Sequence, residues 1–435
     1  MERRKVKLAR LAGSLTLATA CVGLFAEAPA TASTSSAKAP ITWWVPSPSP
    51  IKGTLHGAAK AFTAKTGIKV NVSSIPWSNL LTKITAAITS GVGPDVVEIG
   101  NTWSPTFGRS GGFLSWTPSM YKAIGGEAKF VKTSMEVTGA PGKPAMSVPF
   151  LAQTWDMLYN KAMFKKADLT PPRTWTQFYA DAKKLSDPKK GVYAVANDFG
   201  SNSGMQTWLW IMARQGGGNF YNSKGQPDFV SNGDVKSATQ MVQWLYPDGI
   251  LNPANVADTT GTLALTEFES GKAAMLFLQS PTIPKTPPGG YGLGFVPLPA
   301  QVPAGGAKVM SHVAGENLAI FKGSKNVSED LEFIKFLTST QENANVNQKM
   351  NELPVTYSAL HTPYFQSPKQ KVFGHILTTY AAPMPTEPSS ATAFEDYAGA
   401  FIKLCRQDIT QHGISESQVR GALAAAQAAV AASAG

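Results

Sequence analysis

Cysteine is nearly absent: the 435 residues contain two, Cys21 and Cys405. No disulfide framework can therefore organise the fold, and neither C-x-x-C nor H-E-x-x-H occurs. The five histidines, His56, His312, His361, His375 and His412, have no mutual metal-ligand spacing, so neither a metal nor a cofactor is expected. Charge is sparse too, at 15% of residues. Even so, no apolar run beyond the first thirty residues is long enough to span a bilayer, which excludes a polytopic membrane protein. The net charge of +11 is partly contributed by Arg3, Arg4, Lys5, Lys7 and Arg10. The remaining basic residues are single or in pairs such as Lys165-Lys166 and Lys189-Lys190, with no run that would make a phosphate-binding stripe, so nucleic acid is not expected as a partner. What is abundant is apolar (43%) and aromatic (10%) material, enough to build two large cores.

Residues 1–10 are basic and run into the apolar stretch Leu11 to Ala26, the charge-then-apolar order of a secretory signal peptide, assigned here to residues 1–32. Two processing routes compete. Ala30-Thr31-Ala32 is a small-x-small site before Ser33 and implies release, whereas Ala18-Thr19-Ala20-Cys21 is a loose lipobox and implies a lipid anchor. The apolar stretch continues past Cys21, which favours Ala32. By either route the mature chain lies outside the cytoplasm. Residues 33–40 (STSSAKAP) are small and polar and are read as a flexible tether.

From Ile41 the pattern alternates between strand and helix. Ile41 to Val45 is β-branched and aromatic; Ala58, Ala59 and Phe62 recur at helical spacing up to Thr66-Gly67; Ile68 to Ile75 alternates as a strand. Trp77, Leu80, Leu81, Ile84 and Ile88 form a further helical stripe, stopped by Gly91-Val92-Gly93-Pro94 ahead of a strand at Val96 to Ile99. A second α/β region starts near residue 150. It has strands at Ser147 to Phe150, Met157 to Tyr159, Val192 to Ala196 and Ala273 to Leu278, and helices at Thr176 to Leu185, Gln206 to Ala213 and Val235 to Leu245. Asn326 and Glu329 have the spacing of a capping box opening a helix, and an Ala-rich helix from Ser415 closes the chain.

Four separated blocks resemble the extracellular solute-binding proteins of bacterial sugar ABC transporters, the maltodextrin- and trehalose-binding type. They are ITWW with AFTAKTGIKVNVSSIPWSNLLTKITAAITSGVGPDVVEIGNTW, then VPFLAQTWDMLYNKAMFKKADLTPPRTWTQF, then ALTEFESGKAAMLFLQSP, and finally GENLAIFKGSKNVSEDLEFIKFLTSTQENANVNQKMNELPV. The resemblance spans the mature chain. It implies an α/β fold of two discontinuous lobes joined by hinge strands, the type II periplasmic-binding-protein architecture, with residues 41–151 plus 279–323 in one lobe and 152–278 plus 324–435 in the other. It further implies a monomer that binds a mono- or oligosaccharide in the cleft, leaves it chemically unchanged, and delivers it to the permease of an ABC importer.

Ligands of open α/β sheets sit beyond the carboxyl ends of strands. Here those ends carry aromatics beside amides: Trp44, Asn101 and Trp103, Gln153 and Trp155, and Gln279. Sugars require this pairing, because the C–H face of a pyranose stacks on an indole while its hydroxyls need donors and acceptors. By the resemblance, Gly315, Glu316 and Asn317 lie on a strand facing the cleft, Asn202 and Trp208 fall where a capping aromatic belongs, and Glu352 is a further acceptor. Relatives often carry acidic residues at the positions matched by Gln153 and by Gly100 or Asn101, so the amides here point to no particular sugar. Trp77, Trp175 and Trp244 are read as core.

Enzyme readings are weaker. Gly108 to Gly112 fits G-x-S-x-G formally, but it reads as a helix terminus and turn rather than a nucleophile elbow. Gly290-x-Gly292-x-Gly294 is read as a loop, since no helix follows to hold a phosphate. A glycoside hydrolase would need two carboxylates flanking a bond, and Glu316 with Glu352 is the pair to examine. A binding protein of this fold for a charged solute such as a peptide or polyamine is the other alternative, disfavoured by the amide-rich, aromatic set of candidates.

Overall fold

The computed structural model describes residues 39–47, 51–279, 285–387 and 389–433; the leader at 1–32 and nearly all of the tether lie outside these. Two sheets dominate. The first has six strands in the order β11-β4-β10-β3-β1-β2, with β1 Ile41–Ser47, β2 Val70–Pro76, β3 Val96–Gly100, β4 Val148–Gln153, β10 Ala314–Ile320 and β11 Leu353–Pro354. The second has four in the order β6-β7-β5-β8, with β5 Trp155–Asn160, β6 Tyr193–Ala196, β7 Ala273–Gln279 and β8 Tyr291–Gly294. Each has its own apolar core, the signature of two lobes.

Local chemistry explains the element ends. The helix Ile51–Thr66 stops at Gly67, whose φ of 76° is left-handed. The helix Trp175–Leu185 opens on a capping box, in which Thr174 accepts from the Gln177 amide and Gln177 reaches back to the Thr174 amide. At Asn326 the expected box is not made: the helix Val327–Leu337 begins there, but the Asn326 side chain donates instead to Asp95. Gly108 to Gly112 closes the short helix Ser104–Ser110, with Gly111 at a φ of 69°, as read from the sequence. Gly292 and Gly294 belong to strand β8 rather than a loop. They pair with Tyr159 and Met157, whose side chains occupy the space any Cβ there would need.

The chain divides between the lobes differently from the expectation. Residues 324 to about 377 were expected in the second lobe, but Phe333, Ile334, Leu337, Val346 and Leu377 pack into the first core, with Phe333 edge-on to Trp43 at 5.1 Å. Strand β11 also hydrogen-bonds β4 in the first sheet. Conversely, β8 pairs with β5, and Val296, Val309 and Met310 fill the second core, although 279–323 was expected in the first lobe. An amphipathic helix reveals that it is buried, not against which sheet.

Among the described residues three crossings connect the lobes, and they touch one another. Only Thr154 separates β4 from β5. The strands β9 Ser311–His312 and β12 Ala381–Ala382 form a two-stranded parallel sheet, and Ser311 Oγ accepts from the Trp155 amide at 2.8 Å. A hinge of this kind can bend with little disturbance to either core.

Candidate functional site

A cavity of about 380 Å³ lies between the lobes, at the carboxyl ends of strands from both sheets. On the first-lobe wall, Asn101, Thr102 and Trp103 follow β3, and Gly315 and Glu316 come from β10. On the second-lobe wall, Ser203, Gln206 and Thr207 lie on the first turns of the helix Asn202–Gln215, with Glu395 from the helix Ser390–Gln411. Gln153, Trp155, Gln279, His312, Ala314 and Met384 line it along the hinge.

The first wall is aromatic. Trp77 and Trp103 stack with ring centroids 4.5 Å apart and planes 30° apart, and Trp77 keeps 42% of its surface exposed. Gly100 makes this possible, because a Cβ there would sit 2.9 Å from the Trp77 ring. Asn101 is buried and commits its Nδ2 to the Val313 carbonyl at 2.8 Å, so its amide oxygen is the group left to meet a ligand.

The hinge carries a chain of amides. Gln279 donates to Gln153 Oε1, and Gln153 Nε2 donates to Glu352 Oε1 at 2.8 Å. Since Gln279 ends the second-lobe strand β7 and Gln153 the first-lobe strand β4, this chain ties the lobes beside the cavity. Glu352 stands behind Gln153 and is buried; burial pushes its carboxyl well above the usual range, with Gln153 opposing the shift and Glu316 adding to it.

Glu316 reaches the cavity and backs onto Glu98 of β3. Burial, then the charge of Glu316, pushes the Glu98 carboxyl well up. The proton it keeps serves the hydrogen bond between the two. Burial raises Glu316 as well, opposed by that bond from Glu98. Gly315, at a φ of 143°, lets β10 press against β4, where a Cβ would meet the Leu151 carbonyl oxygen at 2.2 Å. Burial holds His312 at about 3, so its imidazole is neutral.

The second wall is a packed one. Trp155 is 6% exposed, edge-on to Trp208 at 5.4 Å and tilted against His312 at 6.0 Å. Ser201 caps the helix Asn202–Gln215 by accepting from the Gly204 amide, and the first turns of that helix line the cavity through Ser203, Gln206 and Thr207.

Seven of the expected residues are therefore brought together: Asn101, Trp103, Gln153, Trp155, Gln279, Gly315 and Glu316. Five are not among those lining the cavity. Trp44 packs by the helix Trp77–Ser90 with Lys83 over its ring at 4.5 Å. Trp208 lies behind Trp155 and against Phe277 in the second core. Asn317 donates to Ser104 Oγ and the Val137 carbonyl on the far face of β10. Asn202 bonds Glu395 at the rim, and Glu352 reaches the site only through Gln153. Trp77, read as core, is instead a wall of the cavity, and its position directly after β2 is a signal of the same kind as that of Trp103 in the turn after β3. His312, Met384 and Glu395 carry no local signal, since long-range chain crossings bring them in.

The sequence profile of the bacterial extracellular solute-binding proteins matches residues 47–344, well over half of the chain. The chain belongs to this family. As a solute-binding protein of that class it acts outside the cytoplasm, and its relatives are binding proteins rather than enzymes. One relative, a maltooligosaccharide ABC transporter solute-binding lipoprotein of Streptococcus pneumoniae, is 26% identical over 82% of this chain and 83% of its own. Another, a diacetylchitobiose binding protein of Streptomyces coelicolor, is 24% identical over 68% of each chain. Among solved structures, a sugar-binding protein from Xanthomonas citri superposes with a TM-score of 0.76 at 18% identity, over 90% of this chain and 97% of that one. The acarbose-binding GacH receptor of Streptomyces glaucescens superposes with a TM-score of 0.71 at 19% identity, over 90% and 98%. At these identities the superpositions establish the two-lobed fold of this solute-binding protein and no more.

Proposed function

We propose that this chain is the substrate-binding component of an ABC importer, which holds a mono- or oligosaccharide between its lobes and delivers it to the permease. The observation that carries this reading is the cavity itself: two stacked indoles on one wall, hydroxyls and amides on the other, and a carboxylate within reach of both. A sugar ring offers an apolar face and directional hydroxyls, and this lining answers both. Relatives that bind maltooligosaccharide and diacetylchitobiose support the same class of cargo. Closure follows if the ligand touches both lobes, because only a ligand with differential contacts shifts the open–closed equilibrium.

The glycoside hydrolase alternative requires two carboxylates flanking a bond. Glu352 does not supply the second, since it is buried behind Gln153. The protein functions as a monomer, with release after Ala32 and lipidation at Cys21 as the two routes to the cell exterior. Tryptophan fluorescence titration of the mature protein against neutral sugars, amino acids and polyamines tests the reading. A saturable response to a sugar that is recovered unchanged is expected. A response confined to amino acids or polyamines, or breakdown of the sugar, would overturn it.

A further inference from the structure

We propose that the cleft selects sugars bearing a basic amine, ranking a protonated amino sugar above its neutral counterpart and excluding sugars that carry a carboxylate or phosphate. This deepens the sugar-binding reading and rests on it. Lysine and arginine outnumber aspartate and glutamate 39 to 28 over the whole sequence, yet the described cavity lining contains neither basic residue. Its formal charges are two carboxylates, Glu316 from the first lobe and Glu395 from the second. A smaller hollow of about 180 Å³ shares Trp155, Ser203 and Gln279 with the cavity, and its one ionisable lining residue is also acidic, Asp198.

Two features make this more than an acidic patch. Glu316 Oε2 and both oxygens of Glu98 behind it are buried, and the one proton that the pair shares is the only donor they meet among the described residues. His312, which also lines the cavity and whose Nδ1 is buried and unpartnered, is kept neutral by burial and adds no positive charge. An ammonium brings three donors to one point and a full charge, whereas a hydroxyl brings one donor and no charge, so the amine is the group that best meets Glu316. The donor end of the helix Asn202–Gln215 is already met by its Ser201 cap and by the nearby Asp198 carboxyl. An anionic sugar would have to desolvate its charge facing Glu316 and Glu395 with no cation to pair.

The test is isothermal titration calorimetry of the mature protein with matched sets: glucosamine, glucose, glucuronate and glucose 6-phosphate, together with fully deacetylated chitobiose against cellobiose. The amino sugars should bind at least tenfold tighter than their neutral counterparts, lose that margin in 0.5 M salt, and leave the anionic sugars without detectable binding. Glu316→Gln should bring amino and neutral sugars within about twofold of each other, and Glu395→Gln, an exposed position that does not threaten folding, should narrow the gap in the same direction. Equal or tighter binding of the neutral sugars, binding of an anionic sugar, or no binding of any amino sugar overturns the proposal. Tight binding of a neutral sugar in that outcome leaves the sugar-importer reading standing, whereas silence toward every sugar takes both down.

Discussion

The two walls of the cleft use tryptophan in opposite ways. On the first lobe, Trp77 and Trp103 stack on each other beside the cavity, Trp77 keeping 42% of its surface exposed and Trp103 standing edge-on to Phe107. On the second, Trp155 and Trp208 are wedged edge to face among Phe277 and His312, and presenting a ring face there would mean dismantling the core. The first wall is therefore an aromatic platform available to a ligand, while the second supplies polar groups from a helix end fixed by its packed tryptophans. One residue type lines the cavity as a stacked pair on one side of the hinge and fills the core on the other.

Substitutions should separate these uses. Trp208→Ala should cost about 4 kcal/mol of stability, the loss of a large buried aromatic, with ligand affinity nearly retained at temperatures where the protein stays folded. Thermal unfolding beside calorimetry would show it, and an affinity loss without a fall in Tm would mean that Trp208 faces the ligand after all. The second wall also rests on Asp156 in β5, whose carboxyl burial pushes up to about 8 while Thr154 donates to its Oδ2. A raised carboxyl keeps its proton in the folded state and releases it on unfolding, so stability is full at acid pH and falls as pH rises toward about 8. Between pH 5 and 7 this residue alone should lower stability by about 3 kcal/mol, and Asp156→Asn should flatten that slope in urea titrations at the two pH values.

On the first wall the effects should appear in binding instead. Trp103→Ala should weaken the ligand by about 30-fold, the ~2 kcal/mol of an interfacial hot-spot aromatic, with Tm nearly unchanged. Loss of folding in that variant would contradict the platform picture. Gln206→Ala on the facing helix should cost about fivefold in affinity, the ~1 kcal/mol of one hydrogen bond, and an unchanged Kd would remove the second lobe from the binding account.

Much of this was readable in the sequence because it is written locally. The strands at Ile41, Val96 and Ala273 stand out by composition, and glycines such as Gly67 and Gly111 mark helix ends by the φ they must adopt. Asn101, Trp103, Gln153 and Trp155 line the cavity because they flank strand ends, and a strand's end is a position in sequence as well as in space. What stayed hidden depends on pairing between distant segments. The alternation around Glu316 and Asn317 says that they face opposite sides of β10, but only the sheet neighbours decide that Glu316 meets the cavity and Asn317 meets Ser104. Trp208 is a related case: the resemblance put it where a capping aromatic belongs, but it packs edge-on behind Trp155, which lines the cavity in its place. The allocation of residues 327–377 to the first lobe rests on β11 joining β4 across two hundred residues, which no local pattern announces.

The most direct test is a crystal structure of the mature protein grown with a saturating amount of whichever sugar gives the strongest calorimetric response. The sugar ring should lie face-on against the Trp77–Trp103 pair, with its polar groups bonded at once to Glu316 and to the helix end at Ser203, Gln206 or Thr207. A ligand held by one lobe alone, or seated instead in the surface groove lined by Asp396, Lys403 and Ala426, would contradict the account.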